Sequence, residues 1–173
     1  MVDMAESREL GAVIHVSAEA IGEPGQRRFR IRAMNAAGDS AAIWLEKEQL
    51  SALGEAIQKV LSDEEYRYAR VPLDDLEPDP VFPLTATLDF RAMQLSLGTN
   101  SGARHLVLVA KESADADEPG EVVSLEIDFR RCYELRAQIG EVVAAGRKPC
   151  PLCGGPMDPA GHVCVRSNGH QPH

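Results

Sequence analysis

Apolar and polar positions alternate along most of this chain, and the period of the alternation changes at regular intervals. "AVIHVSAEA" (12–20) has strand character, and "IGEPGQR" (21–27) turns the chain at Pro-Gly. "RFRIRAM" (28–34) alternates apolar and basic residues with period two, which predicts a half-buried strand. "NAAGDS" turns again, and "AAIWL" (41–45) resumes as a strand. Leu50, Leu53, Ile57, Val60 and Leu61 then fall at helical spacing and predict an amphipathic helix over 46–61.

The second half follows the same order. "LTATLDFRAMQLSLG" (84–98), "HLVLVA" (105–110) and "VVSLEI" (122–127) read as strands, separated by "TNSGAR" and the acidic loop "KESADADEPGE". A helix follows with Cys132, Leu135, Ile139, Val142 and Val143 on its apolar stripe. These positions repeat the first stripe at a shift of 82 residues, and the same shift maps Ile43 onto Leu125 and Leu45 onto Ile127. The expected class is α+β, with two β-β-β-α repeats of antiparallel strands (10–62 and 84–146) and a short zinc-ribbon-like tail (147–173). Between the repeats lies an acidic, proline-rich linker, 63–83. Ser62 and Glu65 fit a capping box for a short further helix, whereas Pro72, Pro78, Pro80 and Pro83 preclude regular structure. Asp74, Asp75, Glu77 and Asp79 lack the spacing of a calcium loop and read as a solvated segment.

Composition narrows the function. Hydrophobic residues make up 44% of the 173, enough for a core, and aromatics only 5%, so that core is aliphatic. A net charge of −9 argues against nucleic-acid binding by bulk electrostatics. No apolar run approaches the ~20 residues that span a bilayer, and "MVDMAESREL" lacks a signal peptide's basic and apolar regions, so a cytoplasmic protein is expected. Three of the four cysteines fall between 150 and 164, and in a reducing compartment such clustering favours a metal over a disulfide.

Those cysteines lie in "CPLCGGPMDPAGHVC" (150–164). Zinc takes four N or S ligands in a tetrahedron, and a Cys-x-x-Cys turn supplies two thiolates from one loop. Pro151 stiffens that turn, and Gly154–Gly155 lets the chain curl so that amide N–H groups face the sulfurs. Cys150, Cys153 and Cys164 are candidate ligands, and the fourth is either His162, two residues before Cys164, or His170, six after it. Three thiolates and an imidazole carry one negative charge, which Arg147, Lys148 and Arg166 would offset. A redox Cys-x-x-Cys pair competes as a reading, but such pairs open a helix, and this one leads into Pro156 and Pro159. A disordered, metal-free tail is the other alternative. Four protein ligands close a site, so the zinc is expected to be structural; with three, a water would complete the shell and chemistry would follow. So short a tail cannot build a core, and the metal would supply its folding free energy.

"AIGEPGQRRFRIRA", "WLEKEQLSALGEAI" and "VVAAGRKPCPLCGGPMDPAGHVCVRSNGH" together resemble the DUF3090 family of bacterial proteins, found mainly in actinobacteria. The likeness runs from about Ala18 to His170, with the tail motif and the Gly-Glu-Pro-Gly-Gln-Arg turn its most specific parts. The resemblance implies that the Cys-x-x-Cys, the Gly-His-x-Cys and the Arg-x-Asn-Gly run form one unit. It favours His162 as fourth ligand, because tyrosine often stands in the family where His170 stands here. The chain departs from the family pattern at Val165, in place of a usual proline, and at Arg28 and Arg30, where the strand is usually more apolar. The resemblance implies no mechanism.

Other residues carry weaker signals. His15 and His105 lie in strand-like segments with no acid or nucleophile close in sequence and read as partly buried strand residues. "GEPGQRR" (22–28) reads as a hairpin turn before it reads as an anion site at Arg27 and Arg28. Cys132 reads as a small core hydrophobe, and Trp44 as a strand-packing residue or a partner anchor. No phosphate loop, nucleophile elbow or zinc-protease helix appears. The leading expectation is a non-enzymatic, protein-binding adaptor with structural zinc at Cys150, Cys153, His162 and Cys164. The alternatives are an enzyme with its site between the repeats, an RNA-binding accessory protein acting through the basic tail, and a subunit that uses the tail as an oligomer clasp.

Overall fold

The structure is a computed structural model that describes residues 7–63, 81–100, 102–113, 118–146, 149–155, 157 and 162–166. Period-two alternation becomes strands β1 (Ser7–Ile21), β2 (Arg28–Asn35), β3 (Ser40–Leu45), β4 (Leu88–Asn100), β5 (His105–Glu112) and β6 (Val122–Asp128). Helix α1 (Lys47–Leu61) follows β3, and helix α2 (Phe129–Ala144) follows β6. The architecture is therefore α+β, with six strands and two helices among the described residues.

The strands close a barrel in chain order, β1 to β6. The expected antiparallel pairing holds for β1–β2, β2–β3, β4–β5 and β5–β6. Two seams differ: β1 pairs with β6 and β3 with β4 in parallel. Each three-strand run presents its first and third strands as open edges. Joining first to third across the two runs satisfies every edge.

The inward positions are almost wholly aliphatic. Ile31, Ile43, Leu106, Leu108, Val123, Leu125 and Ile127 are fully buried, and the stripes Leu50, Leu53, Ile57 and Cys132, Leu135, Ile139 join the same cluster. One core thus spans both halves. Phe29, Ile31 and Ala33 point inward on β2, so this strand is buried on one face even though arginines alternate along it.

Three β-bulges bend the barrel. Gly11, at φ +65°, permits the bulge of β1 against β6. The other two lie at Val13/His15 on β1 and at Ala92/Gln94 on β4. Beyond each of these two the strand leaves its parallel partner, and a helix glutamine takes over. The Ala18 N–H donates to Gln138 Oε1 at 3.0 Å, and Gln49 Nε2 donates to the Ala92 carbonyl at 3.2 Å.

The helix ends are specified by side chains. Asp128 accepts from the Arg131 N–H at 2.9 Å as N-cap of α2. Gln49 Oε1 accepts the Glu46 N–H at the start of α1. Ser62 stands at the C-cap of α1, where its hydroxyl donates to the Lys59 carbonyl, and the further helix expected from Ser62 and Glu65 falls outside the described residues. Glu65, Pro72, Asp74, Asp75, Glu77, Pro78, Asp79 and Pro80 lie outside the described residues. The end of the expected linker packs on the barrel, where Phe82 meets the buried His15 with ring centroids 5.9 Å apart. Thr87 and Ser40 then exchange backbone-to-hydroxyl hydrogen bonds.

Candidate metal centre

The Cys-x-x-Cys turn is built by its glycines. Gly154 sits at φ +72°, a region glycine enters without strain, and its N–H returns to the Cys150 carbonyl at 2.8 Å. The Cys150 N–H reaches the Gly155 carbonyl at 2.7 Å, which closes the loop. The Gly155 N–H then faces Cys153 Sγ at 3.4 Å, the amide-to-sulfur arrangement expected of this turn. Arg166 fastens the second segment to the first, with Nη1 donating to the Leu152 carbonyl at 3.0 Å.

This brings Cys150, Cys153, His162 and Cys164 together, each offering one ligand atom, all within 4.8 Å of one another. Cys150 Sγ lies 3.7 Å from Cys164 Sγ, and Cys153 Sγ lies 3.2 Å from His162 Nε2. Two Zn–S bonds of about 2.3 Å at a tetrahedral angle put their sulfurs roughly 3.8 Å apart. A disulfide needs about 2.05 Å, and all four cysteines are free. The donor set and its spacing fit a four-coordinate cation. Cys150 and Cys164 are buried, whereas Cys153 and His162 are half-buried. His170, Arg147 and Lys148 lie outside the described residues.

The thiols titrate unequally. Backbone N–H groups of Cys153 and then Leu152 hold the Cys150 thiol down at about 6. At Cys153 the Gly155 N–H pulls in the same direction, but burial and the neighbouring thiols of Cys164 and Cys150 outweigh it and push that thiol up. Adjacent thiolates repel, and a cation held among them would relieve that repulsion.

The remaining candidates lie elsewhere. Residues 22–27 form the β1–β2 hairpin turn, with Gly22 and Gly25 at positive φ. Arg28, Arg30 and Arg32 stand on the outer face of β2, the first two against Trp44. Trp44 also donates from Nε1 to Asp89 at 2.8 Å. His105 has an acid that its own segment does not reveal: Glu126, one strand over, lies 3.3 Å from its Nδ1. Cys132 is buried with its sulfur directed at the Ile127 carbonyl, and burial, with Asp128 nearby, raises its thiol to about 12. An open groove of about 780 Å³ runs between the helices, lined by Gly54, Glu55, Arg136, Gly140 and their neighbours. None of the arginines and histidines singled out in the sequence lines it.

The molecule is thus an α+β barrel protein carrying a Cys₃His cluster positioned to bind a metal ion. The chain belongs to the DUF3090 family, described as "Protein of unknown function", whose model matches residues 9–164. No curated protein matches the chain. Among the described residues, no helix is long and apolar enough to cross a membrane.

Proposed function

We propose that this protein is a protein-binding adaptor whose C-terminal segment is folded around one structural zinc ion. The observation that carries the reading is the Cys150, Cys153, His162 and Cys164 cluster, with four ligand atoms within 4.8 Å of one another. Three thiolates and an imidazole are soft and borderline donors, suited to zinc and unsuited to magnesium or calcium. Four protein ligands fill a tetrahedron and leave no position for a reacting water. The aliphatic filling of the barrel supports binding over catalysis, because an enzyme site between the halves would need polar groups converging there. Four free cysteines support a reducing, cytoplasmic setting.

We read the two halves as one duplicated β-β-β-α unit. Leu50 and Cys132, Leu53 and Leu135, and Ile57 and Ile139, each pair related by the shift of 82, are all buried, and the bulges at Val13/His15 and Ala92/Gln94 each lie where a strand leaves its parallel partner. A second reading, the tail as an oligomer clasp, draws on the exposed Leu152, Val163 and Val165 of the tail. Sizing the full chain against one ending at Ala145 tests it, and unchanged stoichiometry removes it.

Metal analysis of the purified protein tests the main reading. We expect one zinc per chain, lost on His162→Ala or Cys164→Ser and kept on His170→Ala. Zinc retained at undiminished affinity by both histidine variants would overturn the closed site and point to a bound water and hydrolytic chemistry.

A further inference from the structure

Arg28, Arg30 and Arg32 occupy alternate positions of β2, while Phe29, Ile31 and Ala33 between them fill the core. Alternation places all three guanidinium groups in one outward row, with a repeat of roughly 6.6–6.8 Å. Each lies over an aromatic ring. Arg28 lies 4.2 Å and Arg30 5.1 Å from the centroid of Trp44, and Arg32 lies 4.6 Å from that of Phe82. Stacking engages these groups through their faces; Arg28 keeps its N–H edge exposed, whereas Arg30 and Arg32 are half-buried and turn their Nε edges to Glu19.

Among the described residues the row pairs with little negative charge. Among the described residues one carboxylate, Glu19, answers two of the three arginines, through Arg30 Nε at 2.9 Å and through Arg32 Nε. Arg28 is exposed and has no carboxylate partner among those residues. An excess of cations on one face of a chain of net charge −9 is a local feature, aimed at a partner of opposite sign. The rings have already ordered the side chains, so binding would immobilise little further.

Resting on the adaptor reading above, we infer that this face docks an extended acidic peptide whose carboxylates fall at every second residue. An extended peptide has the same two-residue repeat as β2, so successive carboxylates meet successive guanidinium edges. A nucleic-acid strand fits less well. It needs open aromatic faces on which bases stack, and Trp44 is already engaged by Arg28 and Arg30.

The test uses the full, zinc-loaded chain and fluorescence anisotropy at low salt. The probes are a Glu-Thr repeat peptide, a peptide of the same composition with its glutamates in one block, and an oligouridylate of equal charge. The alternating peptide binds tightest. Arg28→Glu, a change at an exposed side chain, weakens it by about tenfold or more. Glu19→Gln releases Arg30 and Arg32 and tightens it by roughly threefold, an effect that damage to the fold would not produce. Equal binding of the block peptide, tighter binding of the oligouridylate, or no gain with Glu19→Gln overturns the proposal. If basic or amphipathic helical peptides bind while both acidic ones do not, this face is overturned and the adaptor reading stands. If no peptide binds, both fall, whereas zinc content reports on the tail independently.

Discussion

Two glycines on the facing helices make a controlled pair. Gly54 of α1 approaches α2 so closely that an added Cβ would lie 2.8 Å from Ile139 Cγ2, a methyl carried by a residue only 2% exposed. Gly140 of α2 has no atom within 4 Å of the same construction. Replacing glycine by alanine in a helix interior gains about 0.8–1.0 kcal/mol in backbone terms. At Gly140 that gain stands alone, and Gly140→Ala should raise the melting temperature by about 2–4 °C. At Gly54 it is opposed by overpacking, which costs about 1–3 kcal/mol, so Gly54→Ala should be neutral to destabilising by up to about 2 kcal/mol. Ile139→Leu removes the offending branch, so the double variant should be more stable than the sum of the singles. Urea denaturation of the zinc-loaded parent chain and its four variants, followed by circular dichroism, reads them at a common m-value. If Gly54→Ala stabilises as much as Gly140→Ala, the helices separate without cost and the packing argument fails.

Other consequences can be checked with the same material. Cys132 should resist alkylation at pH 8 until denaturant is added, because its thiol keeps its proton to about 12 in the folded chain, against an ordinary 9.0. With the folded value raised, its contribution to stability is full below 9.0 and is lost as pH climbs through 9.0 toward 12, which a set of alkaline melts would register. Asp128→Ala removes the N-cap of α2 and should cost about 0.5–2 kcal/mol in the same denaturation assay. Gln138→Leu strands the Ala18 N–H at a strand edge and should cost about 1–3 kcal/mol; accelerated hydrogen exchange at Ala18 identifies the cause.

Much of the fold is legible in the sequence because alternation and helical spacing are local signals. The expected helix over 46–61 and the observed Lys47–Leu61 differ by one residue. What escapes is whatever depends on partners distant in the chain. The first residues of β1, Ser7–Glu9, have no strand pattern and join the sheet by pairing with β6. The parallel seams, and hence the barrel, leave no trace in any single segment. Alternation marks Arg30 and Arg32 as the outer face of a half-buried strand, but not that Trp44, Phe82 and Glu19 stand beside them. Nothing in the helical spacing separates Gly54 from Gly140, although Ile139 crowds the first and nothing lies within 4 Å of a Cβ built on the second. In the tail, spacing identifies the three cysteines but leaves His162 and His170 equivalent, because ligand choice there depends on how the chain turns after Cys164.

The parallel seams also set the order in which this protein can be made. The partner of β1 is β6, which emerges from the ribosome more than a hundred residues later, and β3 waits for β4 across the whole of α1 and the segment after it. During synthesis the first three strands therefore carry two unpaired edges and a helix whose apolar stripe has no α2 to meet. Such an intermediate is prone to pair with another nascent copy, and long-range closure slows the step that would protect it. A chain truncated after Leu61 should accordingly associate with itself, and adding a separate 81–146 fragment should dissolve that association.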